Sequence, residues 1–197
     1  LNRNFDVHFG RILAKCFRIG NPIGSVVIPG FYHNKLGIFS NCGRYAFSEP
    51  ETKALHDFML TIDVENLSFY MNCHTALHAI ASVSEPYFSE FHISQQEEQV
   101  MNQVKDWVAD NTEYRAYYEK KKSFGSGSVP PWVFKEFHKP SFLFEILRSD
   151  YNHIIHGGRH DHLVHLINST LPVFMFLLTN AEQLQNWKIP TNEPYLP

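Results

Sequence analysis

The 197-residue chain balances 17 Lys and Arg against 20 Asp and Glu for a net charge of −3, and 44% of its residues are hydrophobic. Aromatics make up 15%, with 17 Phe and 9 Tyr, which describes a globular chain able to bury a sizeable core and excludes a disordered one. A single lysine run, Lys120-Lys121-Lys122, gives no footprint for nucleic acid, and no apolar run reaches the ~18 residues that a membrane span needs.

Residues 1–47 show little periodicity and carry Gly10, Gly20, Pro22, Gly24, Pro29, Gly30, Gly37 and Gly43, so a long irregular surface segment is expected. Long loops inside compact domains usually serve function. A helix is expected from Ser48, where Ser48-Glu49-Pro50-Glu51 offers an N-cap serine, an early proline and Glu51 at the capping-box position. Leu55, Phe58, Met59 and Ile62 form its apolar stripe. Leu67 to Cys73 reads as a short buried strand that ends on His74, with Cys73 as a buried free thiol. From Ser94 to about Tyr118, Val100, Val104, Trp107 and Val108 recur at helical spacing behind a serine cap. Ser123 to Pro131 (SFGSGSVPP) is the strongest loop signal. Ser141 to Leu147 reads as a second buried strand, and residues 163–186 as one long apolar helix kinked or bounded at Pro172. The tail from Pro190 is expected to be extended. Helix, strand, helix, strand, helix argues for an α/β layered fold with a largely parallel or mixed sheet.

Open α/β sheets gather their chemistry at strand ends, where side chains are held rigidly yet face a crevice. His74 and Glu145 both occupy such ends. His74 alone could equally close its strand with ring nitrogens bonded to backbone. A carboxylate inside Phe142-Leu143-Phe144-Glu145-Ile146-Leu147 should be substantially buried, and an unpaired buried charge is costly. Glu145 must therefore pair, bind metal or hold a raised pKa. Cys16, Cys42 and Cys73 lack CxxC spacing, which argues against a thiolate zinc site. Cys16 and Cys42 could be bridged or reduced. His153, His156, His160, His162 and His165 form pairs at i,i+3 spacing that could bind a second metal. Gly157-Gly158 interrupts any helix there, and a polar turn is the preferred reading.

Taken in order, Leu1-Asn2-Arg3-Asn4-Phe5 through Gly10, Tyr45-Ala46-Phe47-Ser48-Glu49-Pro50-Glu51-Thr52, His74-Thr75, Trp132 and Phe144-Glu145-Ile146 resemble the zinc metallocarboxypeptidases, the family of carboxypeptidases A, B and T. The resemblance implies the mixed-sheet α/β/α fold of that family, with residues 1–197 as the C-terminal portion of a single catalytic domain. It implies a zinc-dependent exopeptidase that releases C-terminal amino acids from peptides. His74 would be the third metal ligand, Thr75 the small hydroxyl residue beside it in the substrate site, and Glu145 the catalytic glutamate. Asn2 and Arg3 would grip the terminal carboxylate, for which a planar guanidinium fork is well matched. The two other ligands of the one Zn2+ site belong to an HxxE motif that does not occur in these residues, so ligands outside this chain would complete it. That also makes an N-terminal portion of the same protein a candidate partner, beside peptide C-termini as substrate. A secreted or extracellular location is implied, with a cytoplasmic one left open.

The sequence departs from the family at Ala76-Leu77-His78 and at Ser84-Glu85-Pro86-Tyr87, and the substrate-capping tyrosine could be Tyr117 or Tyr118, or be replaced by Phe124. Val129 and Pro130 offer no acid for a basic-residue pocket, which disfavours specificity for C-terminal Lys or Arg. Two rival readings remain: a metal-free, carboxypeptidase-like binding or structural module, and an amidase or deglutamylase of the same superfamily.

Overall fold

The computed structural model describes residues 4–7, 31–33, 39–41, 45–83, 92–117, 128–148 and 160–191. The chain divides into two compact units, Leu1–Asp63 with Phe124–Trp132, and Val64–Ser123 with Val133–Pro197. Among the described residues, no helix is long and apolar enough to cross a membrane.

In the first unit, the segment expected to be wholly irregular contains a small antiparallel hairpin, β1 (Phe31–His33) paired with β2 (Phe39–Asn41). Strands of three residues are too short to show a period-2 pattern, so the surrounding Gly and Pro dominate the sequence signal. Helix α1 (Pro50–Met59) begins on Pro50, whose fixed φ suits the first helical position. Its N-cap is Glu49 rather than Ser48, and the Glu49 side chain makes no capping bond. The cap comes instead from Asn4, 45 residues away. Asn4 Oδ1 accepts from the Glu49 backbone N–H at 3.1 Å and from the Thr52 hydroxyl. Asn4 Nδ2 donates to the Tyr45 carbonyl at 2.9 Å and to Ser48 Oγ at 3.1 Å, and the Asn4 carbonyl accepts from the Phe47 N–H at 2.7 Å.

Beside this network Phe5 meets Phe47 edge-on at 5.4 Å between ring centroids and Trp132 at 5.2 Å, and His56 lies against Phe47 at 4.3 Å. Phe5 and Trp132 are buried, and each such ring is worth about 2–3 kcal/mol in area alone. The expected apolar stripe of α1 is only partly core: Met59 is buried, Leu55 half-buried and Phe58 exposed.

The second unit holds β3 (Tyr70–Ser82), α2 (Gln95–Asn111), β4 (Arg115–Tyr117), the greater part of α3 (Val129–Phe137), β5 (Ser141–Arg148), α4 (His160–Thr179) and α5 (Ala181–Gln185). The capping box of α2 is complete, with the Glu97 N–H donating to Ser94 Oγ at 3.3 Å and the Ser94 N–H to Glu97 Oε2 at 2.7 Å. Val100, Met101, Val104 and Val108 are fully buried, and Trp107 stacks on Phe176 of α4 at 3.9 Å. The helix stops short of Tyr118 because side chains satisfy its last carbonyls. Asn111 Nδ2 donates to the Trp107 carbonyl at 2.9 Å and the Thr112 hydroxyl to the Val108 carbonyl at 2.6 Å. Arg115–Tyr117 is thereby released into β4.

The loop expected over Ser123–Pro131 ends earlier than its composition suggests, since Val129, Pro130 and Pro131 open α3, where missing N–H groups cost nothing. The long C-terminal helix breaks at Asn180 rather than at Pro172, which sits inside α4. Buried Asn180 donates from Nδ2 to the Phe176 carbonyl at 3.0 Å, and its Oδ1 accepts from the Thr191 N–H at 2.8 Å. A side-chain amide that occupies both sides of the break fixes the transition to α5.

The sheet is mixed. Counted as continuous strands its order is β4-β3-β5, but β3 changes sides along its length. Over its first arm the register with β5 is parallel, from Tyr70 opposite Ser141 to His74 opposite Glu145. Beyond Leu77 the partners run backwards, from Ala79 opposite Glu145 to Ser82 opposite Phe142. Phe142 to Glu145 therefore have a strand partner on each side. The second arm continues to β4, with Ala79 opposite Arg115 and Ala81 opposite Tyr117. The result is the mixed α/β architecture expected from the order of elements, with four strand segments in a sheet.

Two stability experiments follow from this packing. Asn4→Ala removes the remote cap and strands buried polar groups, and should lower unfolding free energy by about 3 kcal/mol in chemical denaturation. Lys105 on α2 is almost fully buried, with Nζ donating to the Tyr117 carbonyl at 3.3 Å. Burial lowers its ammonium from 10.5 to about 8, against a smaller upward pull from Asp106 and Glu98. Between about 8 and 10.5 the unfolded chain binds a proton that the folded one does not, so this residue's contribution makes stability rise with pH. The limiting slope is about 1.4 kcal/mol per pH unit. Wild type minus Lys105→Met should show that rise in denaturation between pH 8 and 10, because the opposing contributions of Cys73 and Tyr70 cancel in the difference.

Candidate active site

His74 and Glu145 come from separate strands and sit directly opposite one another in the parallel register of β3 and β5. Strand neighbours lie about 4.8 Å apart and register partners project to the same face of a sheet, so the two side chains share a face. Alternation along β5 explains which face. Phe142 and Phe144 are fully buried, while Leu143 and Glu145 on the other side are half-buried. Glu145 Oε2 is shielded from solvent even so. On its other side Glu145 faces Ala79, a buried position whose small side chain leaves room beside the carboxylate.

His74 is half-buried and is followed by Thr75, whose backbone stays in β3 opposite Leu147. Asn2 and Arg3 lie outside the described residues, immediately before the Asn4 anchor. Cys73 was expected to be buried and is exposed. It stands on the first arm of β3, which among the described residues has a strand neighbour on one side only. What burial it has pushes its thiol up. Burial also pushes Tyr70, on the same arm, up to about 12, helped by the neighbouring Cys73. Both shifts favour the protonated form.

Of the histidine-rich segment, His153 and His156 lie outside the described residues, and His160, His162 and His165 fall in α4. His165 is exposed, with Nε2 3.1 Å from Glu113 Oε1. Among the described residues no group of three or more His, Cys, Asp or Glu could hold a metal ion. Neither residue ends its strand as expected: β3 runs on from His74 to Ser82 and β5 from Glu145 to Arg148, because the residues that follow keep strand partners. A half-buried imidazole beside a carboxylate has the chemistry of a zinc ligand; the described residues contribute that one imidazole and not a complete set. Two features escape sequence reasoning: the Asn4 cap, and the Leu77–His78 turn that lets both arms of β3 flank Glu145. Asn4 left a trace as a member of the same motif as Arg3, whereas the turn left none.

The elements and their order define the α/β mixed-sheet fold of carboxypeptidase-type proteins. Solved structures with that fold include thrombin activatable fibrinolysis inhibitor, to which this chain is similar with a TM-score of 0.61 and 20% identity, covering 94% of this chain and 42% of that one. Bovine thrombin-activatable fibrinolysis inhibitor in complex with tick carboxypeptidase inhibitor is similar with a TM-score of 0.50 and 23% identity, over 77% of this chain and 47% of that one. The likeness establishes the fold, and the chain spans less than half the length of either structure. No protein-family model and no curated protein sequence matches the chain.

Proposed function

We propose that this chain is part of the catalytic domain of a zinc carboxypeptidase that removes residues from the C-termini of peptides. The observation that carries the reading is the register pairing of His74 with Glu145, which puts an imidazole and a carboxylate from motifs 71 residues apart side by side on adjacent strands. The carboxypeptidase-type fold and the bonds from Asn4 to Tyr45, Ser48 and Glu49 support it, since these bonds join the two most distinctive motifs of the sequence. One structural neighbour is a complex with a carboxypeptidase inhibitor, which fits a peptidase site on this fold.

His74 would contribute one zinc ligand, with the remaining protein ligands supplied by residues outside these 197. Zinc held there would supply Lewis acidity towards a carbonyl oxygen and would make a water molecule more acidic. Glu145 accepts a proton from the attacking water and returns it to the leaving amine. Its position in a strand paired on both edges fixes the backbone from which the carboxylate projects. Arg3, with Asn2, would select the free α-carboxylate of the substrate through charge-assisted hydrogen bonds, and Thr75, next to His74 in the chain, is a further candidate for substrate binding. A secreted location suits this activity.

The test uses the complete protein with its zinc. Glu145→Gln keeps the shape and one acceptor but cannot take a proton, so turnover should fall about 10²–10⁴-fold while KM, zinc content and melting temperature hold. Loss of zinc together with activity would make Glu145 a ligand instead, and a fully active variant would remove it from the mechanism. Arg3→Ala should erase the preference for free over amidated C-termini, measured as the ratio of kcat/KM on a matched peptide pair. A wild type that cleaves both peptides equally would overturn the role of Asn2 and Arg3. A protein that holds no zinc and cleaves neither would favour a metal-free binding module.

A further inference from the structure

The turn at Leu77–His78, where β3 passes from one side of β5 to the other, needs a backbone that few residues adopt. His78 has φ of +53°, in the left-handed region that is uncommon outside glycine and that His, Asn and Asp enter more readily than other side chains. Such a geometry persists where neighbours hold it. Three consecutive residues do so, Glu113 and Tyr114 between α2 and β4 and Arg115 at the start of β4. Glu113 Oε1 lies 3.8 Å from His78 Nε2, the Tyr114 ring lies 4.3 Å from the His78 ring, and the Arg115 guanidinium donates to the Leu77 carbonyl at 2.9 Å.

These three residues are themselves fixed. Tyr114 is buried, its hydroxyl is 3.0 Å from Thr170 Oγ1 of α4, and its ring meets Phe144, the neighbour of Glu145, at 4.6 Å. The Glu113 oxygen that faces His78 also faces His165 of α4, and Arg115 opens β4 opposite Ala79. Among the described residues the strand contact of the first arm of β3 is β5 on one side, and the turn at its far end is a restraint on its register. A slip of one residue would carry the His74 side chain to the opposite face of the sheet.

We propose that Glu113, Tyr114 and Arg115 form a positioning clamp that holds the Leu77–His78 turn and thereby keeps His74 in register with Glu145. None of the three touches the reacting groups; they act through the turn. The catalytic consequence rests on the peptidase reading above, while the mechanical one does not.

The experiment uses the complete protein, with Arg115→Ala, Arg115→Lys and His78→Asn. Asn tolerates the left-handed backbone but removes the imidazole that Glu113 and Tyr114 engage. Amide hydrogen exchange, kcat, KM and melting temperature are read on each. Arg115→Ala and His78→Asn should speed exchange across Tyr70–Thr75 about tenfold, leave α2 amides and melting temperature near wild type, and lower kcat about tenfold at unchanged KM. Arg115→Lys should recover part of both effects. Unchanged exchange in both disruptive variants overturns the clamp. Faster exchange with unchanged kcat confines it to stability and overturns the positioning role. A wild type without peptidase activity defeats the preceding functional reading instead, and the exchange rates alone then decide the clamp.

Discussion

The double pairing of β5 governs what the rest of the second unit can do. Phe142 and Phe144, fully buried on one face, anchor the strand from below, while two arms of one strand grip its edges. A strand held on both edges commits its backbone hydrogen-bonding groups to the sheet and cannot shift without breaking two ladders at once. Glu145 is thus carried on the most constrained stretch of this sheet. A group that must meet a substrate atom within a fraction of an ångström is best placed on such an element, since small displacements are costly in rate.

His74 is mounted differently. The arm that carries it is half-buried or exposed from Tyr70 to His74, and its side chains are correspondingly more polar: Asn72, Cys73 and His74 follow one another where the second arm has Ala79, Ile80 and Ala81. The contrast separates two tasks within a single strand. The second arm packs, and the first presents functional groups. The two are joined by a turn whose geometry is maintained from outside, which makes the α2–β4 connection more than a link between elements.

How much of this could be read from the residues depended on whether the cause was local. The serine cap of α2 and the apolar run of β5 are local, and both are found where the sequence puts them. The second arm of β3 is not. Ala76-Leu77-His78-Ala79-Ile80-Ala81 is rich in alanine, a weak strand former, and it is extended because β5 and β4 flank it. Helix breaking was misplaced for a related reason. Pro172 is the stronger local signal, yet Asn180 ends α4 because its amide finds partners at both Phe176 and Thr191. The candidate residues His74 and Glu145 were legible from the family resemblance, whereas the strand ends expected at them lie further on, at Ser82 and Arg148, and their register, the fact that places them side by side, was not legible.

The remote cap of α1 has a consequence for how the chain acquires its structure. A helix whose first turn is satisfied by its own N-cap can nucleate alone, whereas α1 waits on an amide 45 residues earlier in the chain. Closing so long a loop ahead of any contact is slow for a chain refolding from the fully denatured state. On the ribosome the order of events is reversed. Asn4 emerges well before Glu49, so the capping group is already present when the helix it serves is made, and vectorial synthesis should spare this unit a search that refolding imposes.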